Sequence, residues 1–121
     1  MSVSSLQTGQ DAENTACQYL TSHGLKTLQR NFRCARGEID IVMEDAQSIV
    51  FVEVRYRKNK SYGDGAESIT YTKQQKLIRA ALYYLQVHPK YSNRPSRFDV
   101  VSVSKNTEST NIDWIKDAFQ V

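Results

Sequence analysis

Cysteine and proline are scarce in this 121-residue chain, two of each, and neither sign of charge dominates it. Cys17 and Cys34 are too few for a disulfide scaffold and too isolated for a paired-cysteine zinc motif, so a reduced, cytoplasmic setting is the expectation. No apolar run approaches the roughly 18 residues of a membrane-spanning helix, which excludes a span of that kind. The N-terminus carries no basic stretch leading into an apolar core, so no signal peptide is expected. His23 and His88 have no neighbour at metal-ligand or triad spacing. A glycine-rich phosphate loop, a serine-nucleophile motif, internal repeats and low-complexity tracts are all missing. Sixteen Lys plus Arg against thirteen Asp plus Glu leave a formal charge of +3. That balance suits nucleic acid without demonstrating it.

What is present is a foldable chain with 40% hydrophobic residues and seven tyrosines. At this length roughly two-thirds of the surface can be buried, enough for one core. A single domain over 1–121 with an ordered core of about 8–119 is the economical reading. Gln10 to His23 places Ala12, Ala16, Cys17, Tyr19 and Leu20 on one helical sector, with Thr8 as cap and Gly24 as stop. Leu28 to Arg33 alternates as a strand, Leu28, Arg30 and Phe32 sharing one face. Glu38 to Met43 and Ser48 to Arg57 are further strands, the latter rich enough in β-branched residues to be interior. Lys58 to Tyr71, with Gly63 and Gly65, is irregular. Thr72 followed by Gln75 reads as a capping box for a helix carrying Leu77, Ile78, Ala81, Leu82 and Leu85, closed before Pro89. Arg97 to Val103 is a fourth strand. Ile112, Ile115 and Phe119 suit a short C-terminal helix with Trp114 packing nearby, a strand being the alternative. The expected fold is α/β, a mixed sheet in the order α-β-β-β-α-β with that short helix at the end.

Chemistry concentrates in Gly37-Glu38-Ile39-Asp40-Ile41-Val42 and Phe51-Val52-Glu53-Val54-Arg55. If the two strands form a hairpin, Asp40 comes opposite or diagonal to Glu53. Neighbouring carboxylates repel unless a proton or cation lies between them, and Glu53 is flanked by valines that deny it water. Mg²⁺ or Mn²⁺ would accept both carboxylates and the Val54 carbonyl. Arg55 returns to the Glu53 face and could grip a phosphate oxygen. The competing reading is an ordinary solvated strand face with cross-strand ion pairs. Glu13, on the apolar side of its helix, either pairs with a basic residue or joins the metal set. Gln74 either orients water or phosphate or merely caps and packs. Around these lie Lys26, Arg30, Arg33, Arg36, Arg55, Arg57, Lys58, Lys60, Lys73, Lys76 and Arg79, charges of the kind that hold phosphates. Tyr56, Tyr62 and Tyr71 could stack on unpaired bases. Asp99 is expected to balance a nearby arginine.

Gly9 with Glu13 and Ala16, Arg30-Asn31-Phe32-Arg33, the Gly37–Val42 and Phe51–Arg57 segments, Lys73-Gln74 and Arg97-Phe98-Asp99-Val100-Val101 together resemble the YraN family. That family comprises small bacterial proteins related to archaeal-type Holliday junction resolvases. The resemblance implies a restriction-endonuclease-like fold and Mg²⁺- or Mn²⁺-dependent hydrolysis of DNA with branched or single-stranded character. It matches Asp40 and Glu53 to the metal-binding carboxylates, Glu13 to a helix glutamate and Gln74 to a polar helix residue. Arg55 stands where the superfamily usually has lysine, and an arginine stays protonated, so it cannot act as a base. The resemblance also implies a homodimer. The rival functions are a nucleic-acid-binding protein without turnover and a structural partner in a bacterial assembly.

Overall fold

The computed structural model describes residues 5–57, 69–105 and 109–120. Helix α1 (Ser5–Ser22) leads into strands β1 (Lys26–Cys34), β2 (Gly37–Asp45) and β3 (Ser48–Arg57). Helix α2 (Tyr71–Val87), a 3₁₀ turn at Pro89–Tyr91, β4 (Ser96–Lys105) and β5 (Thr110–Phe119) follow. The strands lie side by side in sequence order, β1-β2-β3-β4-β5. All neighbours are antiparallel except β3 and β4, which run parallel. Parallel strands need a crossover, and α2 supplies it. The α/β class, the mixed sheet and the initial α-β-β-β-α-β order are therefore as the sequence implied. Lys58, Lys60, Tyr62, Gly63 and Gly65 lie outside the described residues.

Each helix covers one face of the sheet. Ala12, Ala16 and Leu20 of α1 pack with Ile41, Met43, Val50, Val52, Val101 and Val103. Leu77, Ile78, Ala81 and Tyr84 of α2 pack with Ile49, Phe51 and Phe98 on the other side. A strand covered on both sides has no solvated face, which is why β3 reads as a nearly unbroken apolar run. Glu53 in its middle is thus an anomaly from the start.

Four local expectations need correction. The first helix begins at Ser5, so Thr8 lies inside it. The cap of α2 is Thr70, whose hydroxyl accepts from the Lys73 amide, so Thr72 and Gln75 belong to the helix itself. In β1, Arg30 and Phe32 face opposite sides: Arg30 reaches Glu13 of α1 while Phe32 joins the α2 core. The cause is Asn31, whose φ of 56° inverts the alternation for one residue.

The C-terminal segment is strand β5, not a helix. Phe119 pairs with Phe98 and Ile115 with Val100, so three residues of β5 bulge opposite one of β4. Asp117, at φ 52°, lies in that bulge. The bulge returns Phe119 to the sheet four positions after Ile115, a spacing that mimics a helical period.

Buried Asp99 anchors this edge, as the sequence suggested for an arginine partner. It accepts from Arg97 Nε (2.9 Å), Trp114 Nε1 (2.9 Å) and the Asp117 amide (3.0 Å). Arg97 also reaches Asp45 at 3.0 Å. Removing one partner strands the other charge in the interior. Arg97→Met is therefore expected to lower stability by about 3–5 kcal/mol in urea denaturation. A loss below about 1 kcal/mol would show that the pair is no better than a surface one.

Candidate metal and nucleic-acid site

The β2–β3 ladder runs from Asp45↔Ser48 to Ile41↔Val52 and ends there. Asp40 is the first β2 residue beyond it. Its Oδ2 accepts the Val54 amide at 2.8 Å, so a side chain completes the hydrogen bonding that the backbone abandons. The interruption also shows in packing, since Ile39 belongs to the α2 core and Ile41 to the α1 core. On β1, the flanking pairs Arg30↔Ile41 and Phe32↔Ile39 put left-handed Asn31 across from Asp40. Non-glycine residues in that conformation concentrate at functional sites.

Glu53 meets Asp40 across this gap, within hydrogen-bonding reach. Burial pushes the Asp40 carboxyl up to about 8, and the hydrogen bond and charge of Glu53 push the same way. The Val54 amide and the Lys73 ammonium oppose the rise without cancelling it. Glu53 is only 6% exposed. Its Oε2 forms an ion pair with Lys73 Nζ at 2.8 Å. Buried Glu53, half-buried Asp40 and a single approaching ammonium form an acidic pair short of positive charge among the described residues.

The surroundings decide between readings that the sequence leaves open. Glu13 is buried, but its Oε1 accepts from Arg30 Nε at 2.9 Å and Asn31 Nδ2 at 3.2 Å. It borders the same cleft of about 330 Å³ as Asp40, Val54 and Tyr56 without joining the pair. Among the described residues no three acidic, histidine or cysteine side chains converge as a metal set. Asp40, Glu53 and the Val54 carbonyl are the oxygens that could hold a cation here, while Glu13 is tied to β1 through Arg30 and Asn31. Arg30 is occupied by Glu13 and Asn14, so it is not a free phosphate contact. Gln74 donates to the Ile69 carbonyl at 3.1 Å, which gives its amide a local role at the start of α2.

Arg55 is half-buried on β3, two residues beyond Glu53, and no ion pair is found for it among the described residues. Arg57 follows on the same strand. Arg33 is exposed and pairs with Glu38 at 3.3 Å, while Arg36 and Lys76 of α2 are exposed on a shared cleft. In the sequence Lys73 is a basic residue and, with Gln74, part of the family resemblance; its place at Glu53 is non-local, because twenty positions separate the two in the chain. Asn31 was likewise missed. Its position before a buried phenylalanine carries no distinctive local signal.

A small α/β domain with an acidic pair where two strands part, flanked by basic side chains, is the class that fold and site define. The chain belongs to the uncharacterised protein family UPF0102, whose profile matches residues 12–103. A UPF0102 protein of Nitrosococcus oceani is 50% identical over 113 residues, covering 93% of this chain and 91% of its own. Those of Stutzerimonas stutzeri and Pseudomonas fluorescens are 44% and 47% identical over 116 residues, covering 96% of this chain and 97% and 95% of theirs. Among solved structures, Pyrococcus furiosus SfsA in complex with Ca²⁺ superposes with a TM-score of 0.41 at 13% identity. The match covers 90% of this chain and 62% of that one. No helix among the described residues is long and apolar enough to cross a membrane.

The Asp40 carboxyl has a pH signature. Its value of about 8 in the fold, against 3.8 as the ordinary value, means that folding takes up a proton. Stability from this group is present below about 4 and is lost as pH climbs toward 8. Asp40→Asn removes that loss. In EDTA, its melting temperature relative to the unsubstituted chain is expected to rise across pH 4–8 and to level off above. A difference that stays flat over that window would contradict the burial argument.

Proposed function

We propose that the chain is a divalent-metal-dependent endonuclease acting on DNA of branched or single-stranded character. The observation that carries this reading is the meeting of the Asp40 and Glu53 carboxylates at the parted strands, with the Val54 amide on one and the Lys73 ammonium on the other. The donor set fits a hard cation, which prefers carboxylate and carbonyl oxygens. Asp40, Glu53 and the Val54 carbonyl would hold Mg²⁺ or Mn²⁺. Such an ion supplies Lewis-acid polarisation of a phosphoryl oxygen and a bound water of lowered pKa.

The protein groups have separable tasks. The Val54 amide fixes the orientation of Asp40, so that carboxylate is preorganised rather than recruited. Lys73 favours the ionised form of Asp40 by its charge and pairs with Glu53 at 2.8 Å. Arg55, permanently charged, is on the same face of β3 as Glu53 and would stabilise negative charge as phosphorus becomes five-coordinate. It does not serve as the base. Glu13, held by Arg30 and Asn31, positions α1 against the rim of the cleft.

A second reading, a DNA-binding protein without turnover, is favoured by Arg55 in place of lysine and by the lack of a third acidic donor among the described residues. The two part in one assay. Purified chain with Mn²⁺ is expected to cleave within a panel of four-way junction, flap, single-stranded and duplex DNA. Asp40→Asn and Glu53→Gln should each lower the rate by about 100-fold or more with circular dichroism and DNA binding retained. Cleavage unchanged in both variants would end the assignment. Salt-sensitive binding with no cleavage of any substrate would select the second reading.

A further inference from the structure

Beyond the acidic pair, three shallow clefts run into one another between α2 and the β1–β2 turn. Gly37 and Lys76 border both the first and the second, and Arg36 borders both the second and the third. They form one groove, which begins at the N-terminal end of α2 and reaches Gln86. At a rise of about 1.5 Å per residue the groove extends for about 24 Å. Arg33 and Glu38 border it and the Asp40 cleft alike, so the two are contiguous.

The groove is cationic for a reason visible in the helix. The 17 residues of α2 include no aspartate or glutamate. Lys76, Arg79, Tyr83 and Gln86 follow at steps of three, four and three, which places them on one stripe. The one acid bordering the groove among the described residues is Glu38, already paired with Arg33. The facing wall is preformed: a Cβ at Gly37 would sit 3.0 Å from the Lys76 carbonyl oxygen, so the strand is pressed onto the helix there. Tyr83 is 41% exposed, and its ring centre lies 6.2 Å from that of Phe32. The ring is backed by the sheet and open on its outer side.

We propose that this groove receives a single-stranded DNA arm leading away from the acidic pair, with phosphates on Arg36, Lys76 and Arg79 and a base stacked on Tyr83. The substrate class rests on the nuclease reading, whereas the groove can be tested by binding alone. A polyanion matches the charge of the stripe, and an aromatic ring within a basic track is how unpaired bases are held. Duplex bases have no free face to offer Tyr83. The span suits an arm of about four nucleotides, the low end of single-strand site sizes.

Fluorescence anisotropy in EDTA, with a labelled oligo-dT and a blunt duplex of equal length, tests the assignment. Tyr83→Ala is expected to weaken oligo-dT binding by roughly 10–100-fold and duplex binding by less than about twofold, with Tyr83→Phe retaining both. Arg36→Gln combined with Arg79→Gln should flatten the salt dependence for oligo-dT by about 1.4 in log–log slope, two contacts at about 0.7 each. Unaltered oligo-dT affinity in these variants would overturn the proposal. So would an equal loss for duplex, or dissociation of a dimer by Tyr83→Ala at unchanged DNA affinity, which would give the stripe to a second copy of the chain. The expected binding changes without cleavage by the parent chain would sink the nuclease reading and leave the groove standing. Cleavage without those binding changes would do the reverse.

Discussion

Where β2 and β3 cease to share backbone hydrogen bonds, the Val54 amide turns to the Asp40 carboxylate, and this exchange constrains everything around it. It fixes one acid at the fork of two strands and leaves Glu53, on the facing strand, no room to avoid it. Glu53 is buried, and Asp40 is half-buried at the edge of the cleft. Two such groups coexist only by sharing a proton or by holding a cation, and both consequences are visible: the elevated Asp40 carboxyl and the Lys73 ammonium drawn to Glu53. The acidic pair is thus a local cost maintained by a fold stable enough to carry it.

The rest of the architecture supplies that stability and the approach to the site. Both faces of the central strands are sealed by helices, which keeps the pair partly dehydrated and its electrostatics strong. On one side Glu13 binds Arg30 and Asn31 and locks α1 to the bulged β1. On the other, α2 delivers Lys73 to the pair and then carries its positive charge along the β1–β2 turn. The far edge is held independently by Asp99 with Arg97, Trp114 and the Asp117 amide.

Much of this was legible in the amino-acid order because the signals were local. The β-branched run in 48–57, the helical period behind Thr72, and the two acids on successive strands all survive translation into coordinates. What failed was non-local or depended on one backbone angle. Asn31 and Asp117 adopt positive φ, and each breaks a period: the first separates Arg30 from Phe32, the second lets a bulged strand imitate a helix. Glu13 could have been a ligand or an ion-pair partner; only the position of Arg30 decides. Lys73 looked like one more surface charge, since its proximity to Glu53 is set by how α2 crosses the sheet. The identities of Asp40 and Glu53 could be read from the sequence, but the hydrogen bond that orients Asp40 could not, because it requires knowing where the strand ladder stops.

The central claim is that Asp40 and Glu53 share one hard cation at the fork. A crystal of the chain grown with Mn²⁺ and measured at the manganese absorption edge tests it most directly. The account predicts a single strong anomalous peak beside the Asp40 and Glu53 carboxylates. A saturated crystal with no peak there, or with manganese bound only elsewhere, would contradict it.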